Sequence, residues 1–156
     1  MPANPDPKAL TADYLELTAE LKNLPRGMAF VGDRARHLGF SPKRINEVEL
    51  VVEEALVNVI EHAYPDQPGL LRLDLKTATT ADLEEELHLE IRDRGTEFNP
   101  LKLASPDLAA DLMERPIGGL GIFLMQELSD KLDWQRDNEE NCLTIIFAPR
   151  QASDHA

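Results

Sequence analysis

Between Tyr14 and Lys22 apolar and polar residues alternate, with Leu15, Leu17, Ala19 and Leu21 on one side and Glu16, Thr18, Glu20 and Lys22 on the other. A period of two predicts a half-buried strand. The period then lengthens. Leu24, Met28, Val31, Ala35 and Leu38 recur at steps of three and four, which predicts a first helix ending near Gly39. Ser41-Pro42 follows, a side-chain cap and then a proline where a missing N–H costs nothing, so a second helix starts there. Its stripe is Ile45, Val48, Val52, Ala55, Leu56, Val59 and Ala63, and Pro65 ends it just after Tyr64. Alternation returns over Leu70 to Leu75 and Leu87 to Ile91, with the polar stretch Thr77 to Asp82 between them, as in a hairpin.

Asn99 to Ile117 carries Pro100, Pro106 and Pro116 and reads as a long loop with one or two helical turns after Ser105-Pro106. Loops of this length inside a domain are usually functional or disordered. Gly118-Gly119-Leu120-Gly121 then opens a third helix with Ile122, Met125, Leu128 and Leu132 inward. Lys131 to Arg136 and Cys142 to Ala148 are the closing strands, joined by the turn-forming run Asp137 to Asn141. Strands and helices that do not alternate strictly, with two hairpins, predict an α+β two-layer sandwich. Its sheet is expected to be mixed but mostly antiparallel, with three helices on one face. The expected limits are a tail over 1–12, one domain over 13–150 and a second tail over 151–156.

Composition narrows the function. The chain has 156 residues, 42% hydrophobic and 29% charged, as expected for one ordinary globular domain. Lys and Arg total 16 against 29 Asp and Glu, a net charge of −13, which disfavours nucleic acid or an anionic membrane as the main partner. No apolar run approaches the ~18 to 20 residues of a membrane span. Residues 1–8 hold three prolines and no apolar segment, so no secretory signal is read there. The single cysteine, Cys142, excludes an internal disulfide, and a cytoplasmic location is expected.

Three clusters carry candidate chemistry. Glu54 and Asn58 lie one turn apart on the second helix, away from its apolar stripe. Glu47 and Glu61 fall on the same side, so an ordinary solvated face competes with a site in which Asn58 supplies a hard oxygen to Mg²⁺ and Glu54 is a general base. Asp93-Arg94-Gly95 follows the strand that ends at Ile91. It is either a plain turn or a place where Asp93 accepts a hydrogen bond from an exocyclic amine while Gly95 lets a base approach the backbone. Gly118-Gly119-Leu120-Gly121, at a helix start, suits an anion through free N–H groups, although glycine-rich turns are common. Of the other residues, His62 is expected to be a hydrogen-bonded structural residue, Phe98 a core or hinge plug, and Cys142 and Trp134 core. Glu84-Glu85-Glu86 reads as a loop charge run.

In this order the clusters resemble the GHKL (Bergerat-fold) ATPases. The segment Glu54 to Tyr64 resembles the N-box of the small bacterial anti-sigma factor serine/threonine kinases, and Arg115 to Ile122 resembles their second glycine box. The resemblance runs from about Leu15 to Pro149. It implies binding of ATP and Mg²⁺ between the helices and a lid, here Asn99 to Ile117. By that resemblance Asn58 holds Mg²⁺, Glu54 is the base, Asp93 and Gly95 meet adenine, Gly119, Leu120 and Gly121 meet the phosphates, and Thr144 on the last strand helps fix adenine. One departure is the loss of the second glycine of DxGxG, since Gly95 is followed by Thr96-Glu97-Phe98.

The implied activity is a serine/threonine protein kinase of the anti-sigma type, whose partner is a STAS-domain anti-sigma factor antagonist. A second role, sequestering a sigma factor, is implied by the family alone. The alternative is a non-catalytic binding module in which the nucleotide controls an exchange of partners. A detached histidine-kinase catalytic domain is disfavoured, because 156 residues leave no room for a helical dimerisation segment. The sequence leaves the oligomeric state open, a homodimer included.

Overall fold

The computed structural model describes residues 14–104 and 118–149. Five strands form one sheet: β1 (Tyr14–Thr18), β2 (Leu70–Thr79), β3 (Glu85–Asp93), β4 (Lys131–Asp137) and β5 (Glu140–Phe147). Their spatial order is β1-β2-β3-β5-β4. All four pairings are antiparallel, so the sheet is not the mixed one expected. Three helices complete the described fold, α1 (Leu24–His37), α2 (Pro42–Asn58) and α3 (Gly118–Leu128).

Leu71, Leu73 and Leu75 of β2, Leu87, Leu89 and Ile91 of β3, and Leu143, Ile145 and Phe147 of β5 all point into one core. Val31 and Ala35 of α1, Val48, Val52, Ala55 and Leu56 of α2, and Ile122 and Met125 of α3 meet them there. Burial of these apolar side chains is the main stabilising force of the layer pair. The alternate residues, among them Glu16, Arg72, Asp74, Glu90 and Arg92, sit on the other face, where Arg72 pairs with Asp74 and Arg92 with Glu90 along one strand and Glu16 pairs with Arg72 across strands at 3.7 Å.

The ends of the elements show what pattern alone misses. β1 stops at Thr18 instead of running to Lys22, because the Asn23 side chain donates to the Thr18 carbonyl at 2.9 Å and turns the chain into a 3-10 turn over Leu21–Asn23. Leu21 is left exposed. The hairpin arms are longer than expected, so Glu85 and Glu86 lie in β3 opposite Thr79 and Ala78 and only Glu84 remains in the turn. β4 and β5 are joined tightly through Asn138 and Glu139, both at positive φ. Ser41 caps α2 as expected, its hydroxyl accepting from the Arg44 N–H at 3.1 Å.

Arg44 was not singled out by pattern, yet it is 1% exposed. Its guanidinium donates to the carbonyls of Leu128 and Ala148 and pairs with Glu47 and Asp130, tying the start of α2 to the end of α3 and of β5. Each donor finds an oxygen, which is what makes a buried charge tolerable.

Candidate functional site

α2 passes without a break into a π-helical turn, Val59–Ala63, directly after Asn58. Single π turns of this kind are frequent at functional sites. Asn58 is buried at 6% exposure, and its Nδ2 donates to the Glu54 carbonyl at 3.0 Å. Among the described residues none donates to its Oδ1, which leaves a hard acceptor held in place. Glu54, one turn earlier, is half-buried. Burial raises its pKa above the usual carboxylate value, with the charges of Glu53 and Glu61 adding to the effect. The plain solvated face is therefore not what forms: α3 packs on this side of α2.

Gly121 of α3 explains the approach. A Cβ at Gly121 would collide with the Glu54 carboxylate, so a larger residue there would have to push that side chain aside. Gly119 and Leu120 open the same helix. The expected anion-binding turn thus has its last residue at Glu54, and the lid residues 105–117 lie outside the described residues.

At the end of β3, Asp93 is 4% exposed. Its Oδ1 takes hydrogen bonds from the Gly95 N–H and from Asn141 Nδ2, each at 2.9 Å. Oδ2 takes none. Burial raises the Asp93 pKa, while the two hydrogen bonds and Arg136 oppose the rise. A Cβ at Gly95 would strike the Ala63 carbonyl, so the space this glycine leaves is filled by the end of the π turn. Thr96 N–H donates to that carbonyl at 2.8 Å, and Arg94 N–H donates to the Tyr64 hydroxyl at 2.9 Å. The loop after β3 is docked on the end of the second helix.

Asp93 and Asn58 open into one small cavity with about 20 Å³ of free room. Its walls are apolar, from Ala55, Val59, Ala63, Ile91 and Leu143, with Phe98, Pro100, Trp134 and Asn141 closing it. That is about the room of one water and far below the ~300 to 1,000 Å³ usual for ligand pockets. Phe98 stacks on His62 with ring centroids 4.4 Å apart at 18°, so His62 acts through its ring face and not through the hydrogen bond expected of it. Trp134 is more than core: its Nε1 is buried without a partner at the cavity wall.

Thr144 is not brought to this cavity. Along β5 the residues facing the helices are Asn141, Leu143, Ile145 and Phe147, which puts Thr144 on the opposite face. There it lines a separate groove with Asp74, Lys76, His88 and Glu90. Cys142 shares that face, its thiol donating to Glu90 at 3.1 Å, and burial pushes its pKa up to about 12. The residue of β5 that does reach Asp93 is Asn141, which pattern reading did not select. The strand's own alternation, with Leu143, Ile145 and Phe147 inward, puts Asn141 on the helix-facing side but does not tell which residue it meets.

A buried acceptor at the end of one strand, a free amide oxygen on the facing helix and a carboxylate against a helix-opening glycine form the arrangement expected of a nucleotide site. The histidine kinase-like ATPase domain family matches residues 17–147. The chain belongs to this family. A serine/threonine-protein kinase BtrW from Bordetella bronchiseptica is 34% identical over 134 residues, 85% of this chain and 91% of the relative. A serine-protein kinase RsbW from Halalkalibacterium halodurans is 29% identical over 149 residues, 92% of this chain and 88% of the relative. Among solved structures, the RsbU and RsbW domains of a Mycobacterium tuberculosis protein superpose with a TM-score of 0.55 at 14% identity, over 89% of this chain and 33% of that longer one. A chain of the SiaB-SiaC complex from Pseudomonas aeruginosa gives a TM-score of 0.50 at 10% identity, over 86% of this chain and 89% of that one. At such identities the two structures speak for the fold. An amine could meet Asp93 Oδ2, but the cavity as it stands is smaller than an adenine base, so its walls would have to part to admit one. Among the described residues no helix is long and apolar enough to cross a membrane.

Proposed function

We propose that this chain is an ATP-dependent serine/threonine protein kinase that transfers the γ-phosphate of ATP to a hydroxyl of a small STAS-domain antagonist protein, in the manner of the anti-sigma kinases it resembles. The observation that carries the reading is the pair of unpartnered oxygens, Asp93 Oδ2 and Asn58 Oδ1, opening into one apolar cavity with Glu54 a single turn from Asn58. In this reading Asp93 accepts from the amine of adenine, and the apolar walls part to take the faces of the base. Asn58 Oδ1 would be a ligand of Mg²⁺, an ion that keeps few protein ligands and otherwise uses phosphates and water. When bound, Mg²⁺ neutralises charge on the phosphates.

Glu54 supplies the base. As the hydroxyl oxygen of the acceptor bonds to the γ-phosphorus, the bond to the β–γ bridging oxygen breaks, ADP leaves, and the hydroxyl proton passes to the Glu54 carboxylate. Its raised pKa suits that proton transfer better than an ordinary glutamate would. Gly119, Leu120 and Gly121 line the phosphates at the start of α3. In this reading the protein works in the cytoplasm and sequesters a sigma factor as a second role.

Incubation with γ-labelled ATP, Mg²⁺ and STAS-domain proteins of the source cell tests the reading. Label on a serine or threonine of one of them supports it. Nucleotide-dependent complex formation without label would favour the binding-module alternative.

A further inference from the structure

Asn141 is 4% exposed and its carboxamide is fully engaged. Nδ2 donates to Asp93 Oδ1 at 2.9 Å and to the Thr96 carbonyl at 2.8 Å, while Oδ1 accepts from the Phe98 N–H at 3.1 Å. One side chain thus spans the strand end and two points of the loop beyond it. Arg136, opposite Asn141 in the β4–β5 ladder, adds a hydrogen bond of 2.9 Å to the Gly95 carbonyl.

The two oxygens of a carboxylate are chemically equal, and rotation about the last side-chain bond exchanges them. At Asp93 both internal donors lie on the same oxygen, which distinguishes the two: Oδ1 belongs to the protein and Oδ2 to the cavity. We infer that Asn141 is a positioning residue for nucleotide recognition, fixing the Asp93 carboxyl so that Oδ2 is presented to the exocyclic amine of the base. Few side chains can do this. Serine or threonine has one donor where Asn141 uses two, and aspartate has an acceptor where a donor is needed. The inference rests on the reading of the cavity as an adenine site.

A plain structural bridge would make the same three hydrogen bonds, so the test must ask about the amine. Calorimetric affinities for ATP and for purine riboside 5′-triphosphate, which lacks the 6-amino group, are measured on the native chain, Asn141→Ala and Asn141→Leu. The native chain should prefer ATP by roughly tenfold or more, the scale of one hydrogen bond to a charged group. In both variants that preference should fall to about threefold or less, while the affinity for the des-amino nucleotide changes little. Asn141→Leu is nearly isosteric and sets no second charge beside Asp93, so it decides the matter should Asn141→Ala not fold. If the variants keep the native preference, or lose both nucleotides equally, Asn141 is only a bridge and the inference fails. If the native chain binds neither nucleotide, the adenine reading itself fails with it.

Discussion

The carboxylate of Glu54 occupies the space that a side chain on Gly121 would need. Two segments 67 residues apart in sequence are thereby interlocked, one carrying the candidate base and the other the turn expected to face phosphate. Gly121→Ala tests whether this matters. Helix propensity alone favours alanine over glycine by about 1 kcal/mol, so the helix itself should not be weakened. The added methyl must instead displace Glu54. Misplacement by about 1 Å can cost ~10²-fold in rate, so phosphoryl transfer should fall at least tenfold while ATP affinity changes less. Unchanged transfer would mean that the contact is incidental.

Asp93→Asn separates recognition from folding. Both internal hydrogen bonds of Asp93 go to Oδ1, and an amide oxygen can accept them equally well. Only the atom at Oδ2 changes, from acceptor to donor. ATP affinity should therefore drop roughly ten- to a hundredfold, the scale of a hydrogen bond to a charged group. Burial raises the Asp93 pKa in the fold, so its ionised form costs stability at neutral pH and that cost vanishes on acidification. The neutral variant should accordingly melt no lower than the native chain at pH 7. A large loss of thermal stability would show that the charge itself supports the structure.

Asn58→Ala should abolish the Mg²⁺ dependence of ATP binding. Among the described residues none donates to the Oδ1 atom, and the hydrogen bond that is lost, Nδ2 to the Glu54 carbonyl, is a local one within the helix. Titration of ATP with and without Mg²⁺ checks this. An equal response to Mg²⁺ in native and variant chains removes the metal-ligand role.

Much of this was legible in the chain itself. The stripes of α1 and α2, the Ser41 cap and both hairpins follow from local periodicity and from the chemistry of single residues. Glu54, Asn58, Asp93 and Gly121 are legible too, though each cluster alone is ambiguous and only their order along the chain, by its resemblance to the GHKL ATPases, marks them as a site. What escaped depends on register. Asn141 reaches Asp93 because the two are opposite each other in the β3–β5 ladder, a pairing that neither strand encodes alone. Thr144 lies three residues further on, and an odd step along a strand changes face. Arg44 looked like one more surface charge until distant carbonyls and Asp130 were folded around it.

The most direct measurement is single-turnover transfer of γ-labelled phosphate to a cognate STAS-domain protein by the native chain and by Glu54→Gln. The amide fits the same space beside Gly121 but cannot take up the hydroxyl proton. General-base assistance is typically worth ~10² to 10⁴ in rate, so the variant should bind ATP as the native chain does and transfer at least ~100-fold more slowly. Transfer within about threefold of native, well below that range, would contradict the assignment of Glu54 as the base.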